Sequence, residues 1–276
     1  MQFRASDGAS IAFDDEGEGR PLVLLHGLMA HRGFFERQQP LASAFRLIAI
    51  DLRGHGQSRS SEGLNVARLA EDVAELARHL DLEDAIVVGW SLGASVLFHL
   101  LTGPESGRFA GGVVVDMTAR VLNDDGWTLG LSEEHCAARS QAIRDDFQSF
   151  AAAAGSAIVA QPPAGEGRRV ADFAVAEFQR NDPAAIGALW QSLVEEDFRP
   201  LLGRIRQPVL IAHGVHSHLY GPETAAHLVG AITDARAVAF DRSGHSPHLE
   251  QVNLFNDTIQ EFAASLPRVR EPQTTA

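Results

Sequence analysis

Short, mostly apolar runs recur along the chain, each closed by a polar residue or a glycine. They are Pro21–His26, Phe45–Asp51, Ala85–Trp90, Gly111–Asp116, Pro208–Gly214 and Ala235–Phe240. Runs that are apolar on both sides suit strands buried on both faces of a parallel sheet. Two further strands, Gln2–Ser6 and Ser10–Asp15, are predicted around the turn Asp7-Gly8-Ala9. Between the runs, Asn65–Leu80 carries Val66, Leu69, Val73, Leu76, Ala77 and Leu80 at helical spacing. Strands separated by helices are βαβ units, so an α/β fold with a mainly parallel sheet is expected.

The alternation stops near Thr118 and returns near Arg206. In between, helical stretches dominate. Ser132 before Glu133 and Glu134 reads as an N-cap with an acidic first turn, and Asp182-Pro183 as an N-cap followed by proline. Gln161–Arg169 (QPPAGEGRR) reads as a loop. Pro222–Val229 and Glu250–Leu266 are predicted as the last helices. The expected organisation is a core of residues 1–117 and 207–270, a helical cap over 118–206, and a flexible tail at 271–276.

Composition narrows the function. Of 276 residues, 45% are hydrophobic and 21% charged, which suits a folded globule. The net charge of −13 argues against nucleic acid or an anionic membrane as the main partner. All 23 basic residues are arginine, as in a GC-rich bacterial genome, so Schiff-base chemistry and the P-loop lysine are excluded. Cys136 is the only cysteine and is expected to be inert packing. No apolar run approaches the ~18 residues of a membrane span, and MQFRASDGAS lacks the apolar stretch of a signal peptide. A cytoplasmic enzyme is the default expectation, and a homodimer is allowed.

The strongest chemical signal is Gly89-Trp90-Ser91-Leu92-Gly93, a G-x-S-x-G directly after a strand and opening a helix. That turn is too tight for side chains beside the serine, and it lifts the serine oxygen clear of the sheet. Ser91 is the candidate nucleophile and needs a base. Among twelve histidines, His245 in Arg242-Ser243-Gly244-His245-Ser246 lies between the last strand and the last helix, at the edge where Ser91 sits. His26 and His55 are expected to shape turns, and His248 to pack. His213, His216 and His218 are clustered but lack an Asp or Cys to complete a set, so no metal is expected. Backbone N–H groups of Leu92 and of Leu28, in the loop after Pro21–His26, are the candidate oxyanion hole.

With HGLMAHRGFF at 26–35, DLRGHGQS at 51–58, GWSLGA at 89–94, PVLIAHG at 208–214 and SGHSPHLE at 243–250, the chain resembles the α/β-hydrolase family. The resemblance implies an eight-stranded, mostly parallel sheet flanked by helices, with an inserted helical cap. Members usually carry the triad acid after the strand corresponding to Pro208–Gly214. Here Ser217 stands in that place; a serine cannot hold an imidazolium by charge, so its replacement by alanine is expected to cost little. A minority arrangement puts the acid after the preceding sheet strand, which is Asp116 in this chain; the competing reading is that Asp116 only caps the entrance to the inserted block. Asp241 is too near His245 in sequence, and Asp51 belongs to the structural DLRGHG loop. The resemblance implies hydrolysis of a small carboxylic ester through an acyl-serine, without a cofactor. Phe34, Trp127 and Leu131, with Phe35 and Met117, are candidates for an apolar lining that would favour an apolar substrate; ordinary core packing is the competing reading of each. A lactonase or C–C bond hydrolase would keep the same residues. Serine as nucleophile argues against dehalogenases and epoxide hydrolases, which use Asp. Ser217 also leaves open a hydrolase-like binding protein with a degraded triad.

Overall fold

The computed structural model describes residues 1–267; the tail predicted at 271–276 lies outside the described residues. The eight strands are β1 (Gln2–Arg4), β2 (Ser10–Glu16), β3 (Arg20–Leu25), β4 (Phe45–Ile50), β5 (Ala85–Trp90), β6 (Phe109–Val115), β7 (Val209–Gly214) and β8 (Ala235–Phe240). They form one sheet in the order β1-β2-β4-β3-β5-β6-β7-β8. β1 and β2 join antiparallel, as does β2 with β4; the pairs from β4 to β8 are parallel. Every residue of β5 is buried, as its unbroken apolar run requires.

The helices are α1 (Val66–His79), α2 (Leu92–Thr102), α3 (Glu133–Asp145), α4 (Phe147–Ala157), α5 (Gly165–Phe178), α6 (Pro183–Glu195), α7 (Pro222–Ala231), the single turn α8 (Pro247–Glu250) and α9 (Val252–Ser265). Asn65 caps α1 by accepting from Arg68 N at 2.8 Å. Val66, Leu69, Val73 and Leu76 of α1 are buried, each contributing about 2 kcal/mol. The same helix buries Asp72, whose two oxygens accept from Nε and Nη2 of Arg53 at 2.7 Å. Such a pair is costly to break because the surviving charge would be buried alone.

Helices α3 to α6 lie between β6 and β7. Ser132 and Asp182 cap α3 and α6 as predicted, with side chains accepting from His135 N and Ala184 N. The expected loop Gln161–Arg169 is corrected: α5 already starts at Gly165. Glu166 in its first turn pairs with Arg169 one turn on and with Arg37 of the core. Those pairs offset the helix-breaking tendency of Gly165 and Gly167. A run of tight 3-10 turns over Arg32–Ser43 was not foreseen by periodicity. The closing helix divides into α8 and α9 at Gln251.

Candidate active site

The chain leaves β5, makes one sharp step at Ser91 and enters α2. Ser91 has φ 53° and ψ −117°, a backbone state that costs of order 1–3 kcal/mol. The surroundings fix it: Ser91 N donates to Val115 O at 3.0 Å, at the end of β6. A side chain on Gly89 would strike the Gly93 carbonyl, and one on Gly93 would strike the Leu25 carbonyl of β3. The two motif glycines are therefore required by contact between backbones. Leu92 opens α2, so its N–H has no partner within the helix and points out of its positive end.

His245 lies between β8 and α8 and is 4% exposed. Trp90, next to the serine, donates its indole N–H to His245 O at 2.8 Å. Gln251 Oε1 accepts from Arg242 N at 2.8 Å and from Ser243 Oγ at 2.9 Å. Glu250 takes Gly244 N at 2.8 Å on one oxygen and Ala160 N at 2.7 Å on the other. It thereby ties the loop of His245 to the connection between α4 and α5. Burial raises the Glu250 carboxyl to about 7, against the opposing pull of these N–H groups.

Asp116 follows β6 directly and sits at φ 47°, a region that Asp tolerates better than most residues. Its backbone N donates to Ala212 O at 2.9 Å. Its Oδ2 lies 2.6 Å from His245 Nδ1, and both side chains are buried. Oδ1 accepts from Gly214 N at 3.3 Å. Ser217 Oγ donates to Oδ2 at 2.6 Å. Ser217 thus shares the oxygen that meets the histidine, a bond that the sequence does not reveal. With Nδ1–H donating to a carboxylate, Nε2 keeps its lone pair and can act as a base.

The loop carrying Leu28 is set by two buried histidines. His26 Nε2 accepts from Leu52 N at 2.9 Å, and its Nδ1 meets Gly27 O at 2.8 Å. His55 Nε2 accepts from Met29 N at 3.1 Å, and its Nδ1 meets Arg53 O at 3.2 Å. Burial holds His26 well below the usual imidazole range and His55 at about 4. Each ring is thus neutral, with one nitrogen donating and one accepting. Asn181, after α5, donates to Met29 O at 2.7 Å from the other side.

Phe34 is buried, with its ring 5.8 Å from that of Trp90 and 5.7 Å from that of Phe178 in α5. Trp127 is engaged elsewhere: its ring meets His227 of α7 at 4.8 Å and Arg199, and its N–H reaches Arg120 O. Leu131 is half-buried, paired through its backbone with Val121 and Asn123. Neither contact set includes Ser91, Asp116 or His245. A groove of about 980 Å³ lies behind the Leu28 loop, lined by Met29, Arg32, Asp51, Gln57, Glu177 and Arg180 among others. It carries several charged side chains and includes none of those three residues. Among the described residues, no group of three His, Cys, Asp or Glu side chains is arranged to hold a metal. Sequence reasoning missed Trp90, Ser217 and Glu250. Trp90 and Glu250 lie inside the quoted motifs, but their roles depend on partners far away in sequence.

The sequence model of the alpha/beta hydrolase family matches residues 22–258. A pimeloyl-[acyl-carrier protein] methyl ester esterase of Nitrosospira multiformis is 28% identical over 262 residues, covering 92% of this chain and 98% of that protein. A non-heme chloroperoxidase of Streptomyces lividans is 30% identical over 230 residues, covering 76% and 79%. Among solved structures, the esterase RhEst1 from Rhodococcus sp. ECU1013 superposes with a TM-score of 0.85 at 27% identity, covering 97% of this chain and 99% of that one. No helix among the described residues is long and apolar enough to cross a membrane. Strand order, the serine turn and the match over most of the length agree, and the chain belongs to the alpha/beta hydrolase family.

Proposed function

We propose that this protein hydrolyses carboxylic esters through an acyl-Ser91 intermediate, with His245 as base and Asp116 as the acid of the triad. Ser91 Oγ attacks the carbonyl carbon while His245 Nε2 takes its proton. The N–H groups of Leu28 and Leu92 hold the oxyanion. His245 then gives the proton to the departing alkoxide. Water, deprotonated by the same nitrogen, attacks the acyl-serine, and the acid leaves with Ser91 restored. Asp116 holds the imidazole with Nδ1 protonated and balances its charge. In this reading α3 to α6 form a cap over the site. The names of the Nitrosospira and Rhodococcus proteins support ester cleavage.

The observation that carries this reading is the 2.6 Å contact between Asp116 and His245. It supplies a charged partner for the histidine where Ser217 alone would not, which disfavours the binding-protein reading. The substrate is proposed to be a small free ester. In 118–206 nine arginines are outnumbered by thirteen acidic residues, so an acidic carrier protein would meet a surface of its own sign. The test combines fluorophosphonate labelling with turnover of p-nitrophenyl esters. Labelling confined to Ser91, with turnover lost in a folded Ser91→Ala variant, is expected. Turnover that survives Ser91→Ala at near wild-type rate would overturn the reading.

A further inference from the structure

Tyr220 is the only tyrosine in the chain. It lies between β7 and α7, three residues after Ser217. It is 8% exposed, and its ring centre stands 6.2 Å from that of His245. Its hydroxyl makes no hydrogen bond with any described residue. Nor is its oxygen among the buried side-chain atoms sealed without a partner, so it borders space that water can enter. Phenylalanine would fill the same volume without an orphan hydroxyl, which costs about 1–3 kcal/mol when unpaired.

The surroundings say what that hydroxyl can do. Burial holds the phenol well above its usual range, so at neutral pH it is an uncharged O–H donor. Arg139 of α3 and Asp116 are the charged groups that act on it, and its ring stands beside that of His245. Arg139 lies over the Trp190 ring at 5.6 Å and joins no ion pair among the described residues. Its positive charge favours an electron-rich acceptor near Tyr220.

Sheet order gives the direction. The Leu28 loop follows β3, on one side of β5 and Ser91. The Tyr220 loop follows β7, on the opposite side beyond β6. With the oxyanion turned toward Leu28, the leaving oxygen must face His245 to receive its proton. The alcohol portion then runs past His245 toward Tyr220. We propose that the Tyr220 hydroxyl is a substrate-binding donor that selects esters whose alcohol portion carries a second oxygen acceptor. This rests on the ester-hydrolase reading and extends it to a substrate class.

The test uses the full-length protein and isosteric esters. Pentyl, 2-ethoxyethyl and 3-methoxypropyl butanoates differ only in where an oxygen replaces a methylene. Methyl hexanoate and methyl 3-ethoxypropanoate make the same comparison on the acyl side. Tyr220→Phe is expected to lower kcat/KM on at least one oxygen-bearing alcohol ester by ~3–10-fold, mainly through KM. The pentyl ester should stay within about 2-fold, and the melting temperature should not fall. Equal loss on all esters, loss confined to the acyl series, no loss anywhere, or a lower melting temperature would each overturn the proposal. Fluorophosphonate labelling separates the two readings. Labelling of Ser91 undiminished in Tyr220→Phe shows that the nucleophile is intact. Wild-type protein that neither labels nor turns over any ester would sink the hydrolase reading, and this proposal with it.

Discussion

Replacing Asp116 by Asn tests the acid most directly, because the geometry leaves the amide no good orientation. Oδ2 accepts from both His245 Nδ1 and Ser217 Oγ, each at 2.6 Å, and Oδ1 faces Gly214 N at 3.3 Å. An amide has one oxygen. If that oxygen takes the Oδ2 position, its NH2 group faces the Gly214 N–H, donor against donor. If the amide turns over, NH2 faces His245 Nδ1 and selects the tautomer with Nε2 protonated, which cannot act as a base. In both orientations the imidazolium loses its counter-charge. The expected loss is ~10³–10⁴ in kcat, about 4–5.5 kcal/mol of barrier.

Ser217→Ala should cost less. It removes one charge-assisted bond worth about 1.5–3 kcal/mol but leaves His245 its carboxylate. Because only part of that energy bears on the transition state, we expect at most ~10-fold in kcat/KM. Ser217→Asp in the Asp116→Asn background places a carboxylate where an oxygen already meets this cluster, and partial rescue is expected. The assay is kcat/KM of the variants on one activated ester, with melting curves to confirm folding. If Asp116→Asn stays within about 5-fold of wild type, or Ser217→Ala collapses as far as Asp116→Asn, the assignment of the acid is wrong.

Acid should destabilise the fold in a defined window. His26, His55 and His248 are buried with depressed values, His55 to about 4 and His248 to about 3, so below ~6.5 the unfolded chain binds protons that the folded one refuses. Glu250, raised to about 7, opposes one of the three, since it stabilises the folded state as pH falls. The net of about two protons gives a loss of roughly 2.7 kcal/mol between pH 6 and 5, measurable by urea unfolding; a flat profile would refute it. His248 has neither ring nitrogen partnered, so His248→Leu should roughly halve that slope. Glu250→Gln sets an NH2 group against a backbone N–H and should cost about 1–3 kcal/mol of stability, with kcat falling more than KM changes. Gly93→Ala should cost about 3 kcal/mol or more, read as lost soluble yield.

Periodicity alone located the six parallel strands, because a strand buried on both faces has to be a short apolar run. Helix α1 was equally legible, from its apolar stripe. Cap signals placed α3 and α6 for the same local reason. The start of α5 was not legible, since its glycines are local and the compensating Arg37–Glu166 pair spans 129 positions. Within the site, the sequence nominated Ser91, Asp116 and His245, and the structure sets them at the C-terminal edge of the sheet, after β5, β6 and β8. The Ser217 bond was illegible: a serine in the place of an acid reads as a loss until the neighbouring strand supplies the carboxylate. Trp127 read as pocket lining because an aromatic near a cap is ambiguous; its partners His227 and Arg199 are long-range.

With Asp116 as the proposed acid, its place after β6 instead of β7 follows from the sheet itself. In a parallel pair, residues in register end side by side, and Val115 of β6 faces Ala212 of β7. Parallel neighbours lie about 4.8 Å apart, so a carboxylate one residue beyond β6 reaches space that a side chain after β7 also reaches. The chain turns left-handed at Asp116, and an aspartate bears that conformation at less cost than a branched residue. The turn carries the carboxylate over the end of β7, where it finds both Gly214 N and the Ser217 hydroxyl. Catalysis requires a carboxylate at one point beside the imidazole, and it places no demand on which strand delivers it. On the proposed reading, the serine after β7 anchors the acid instead of supplying it.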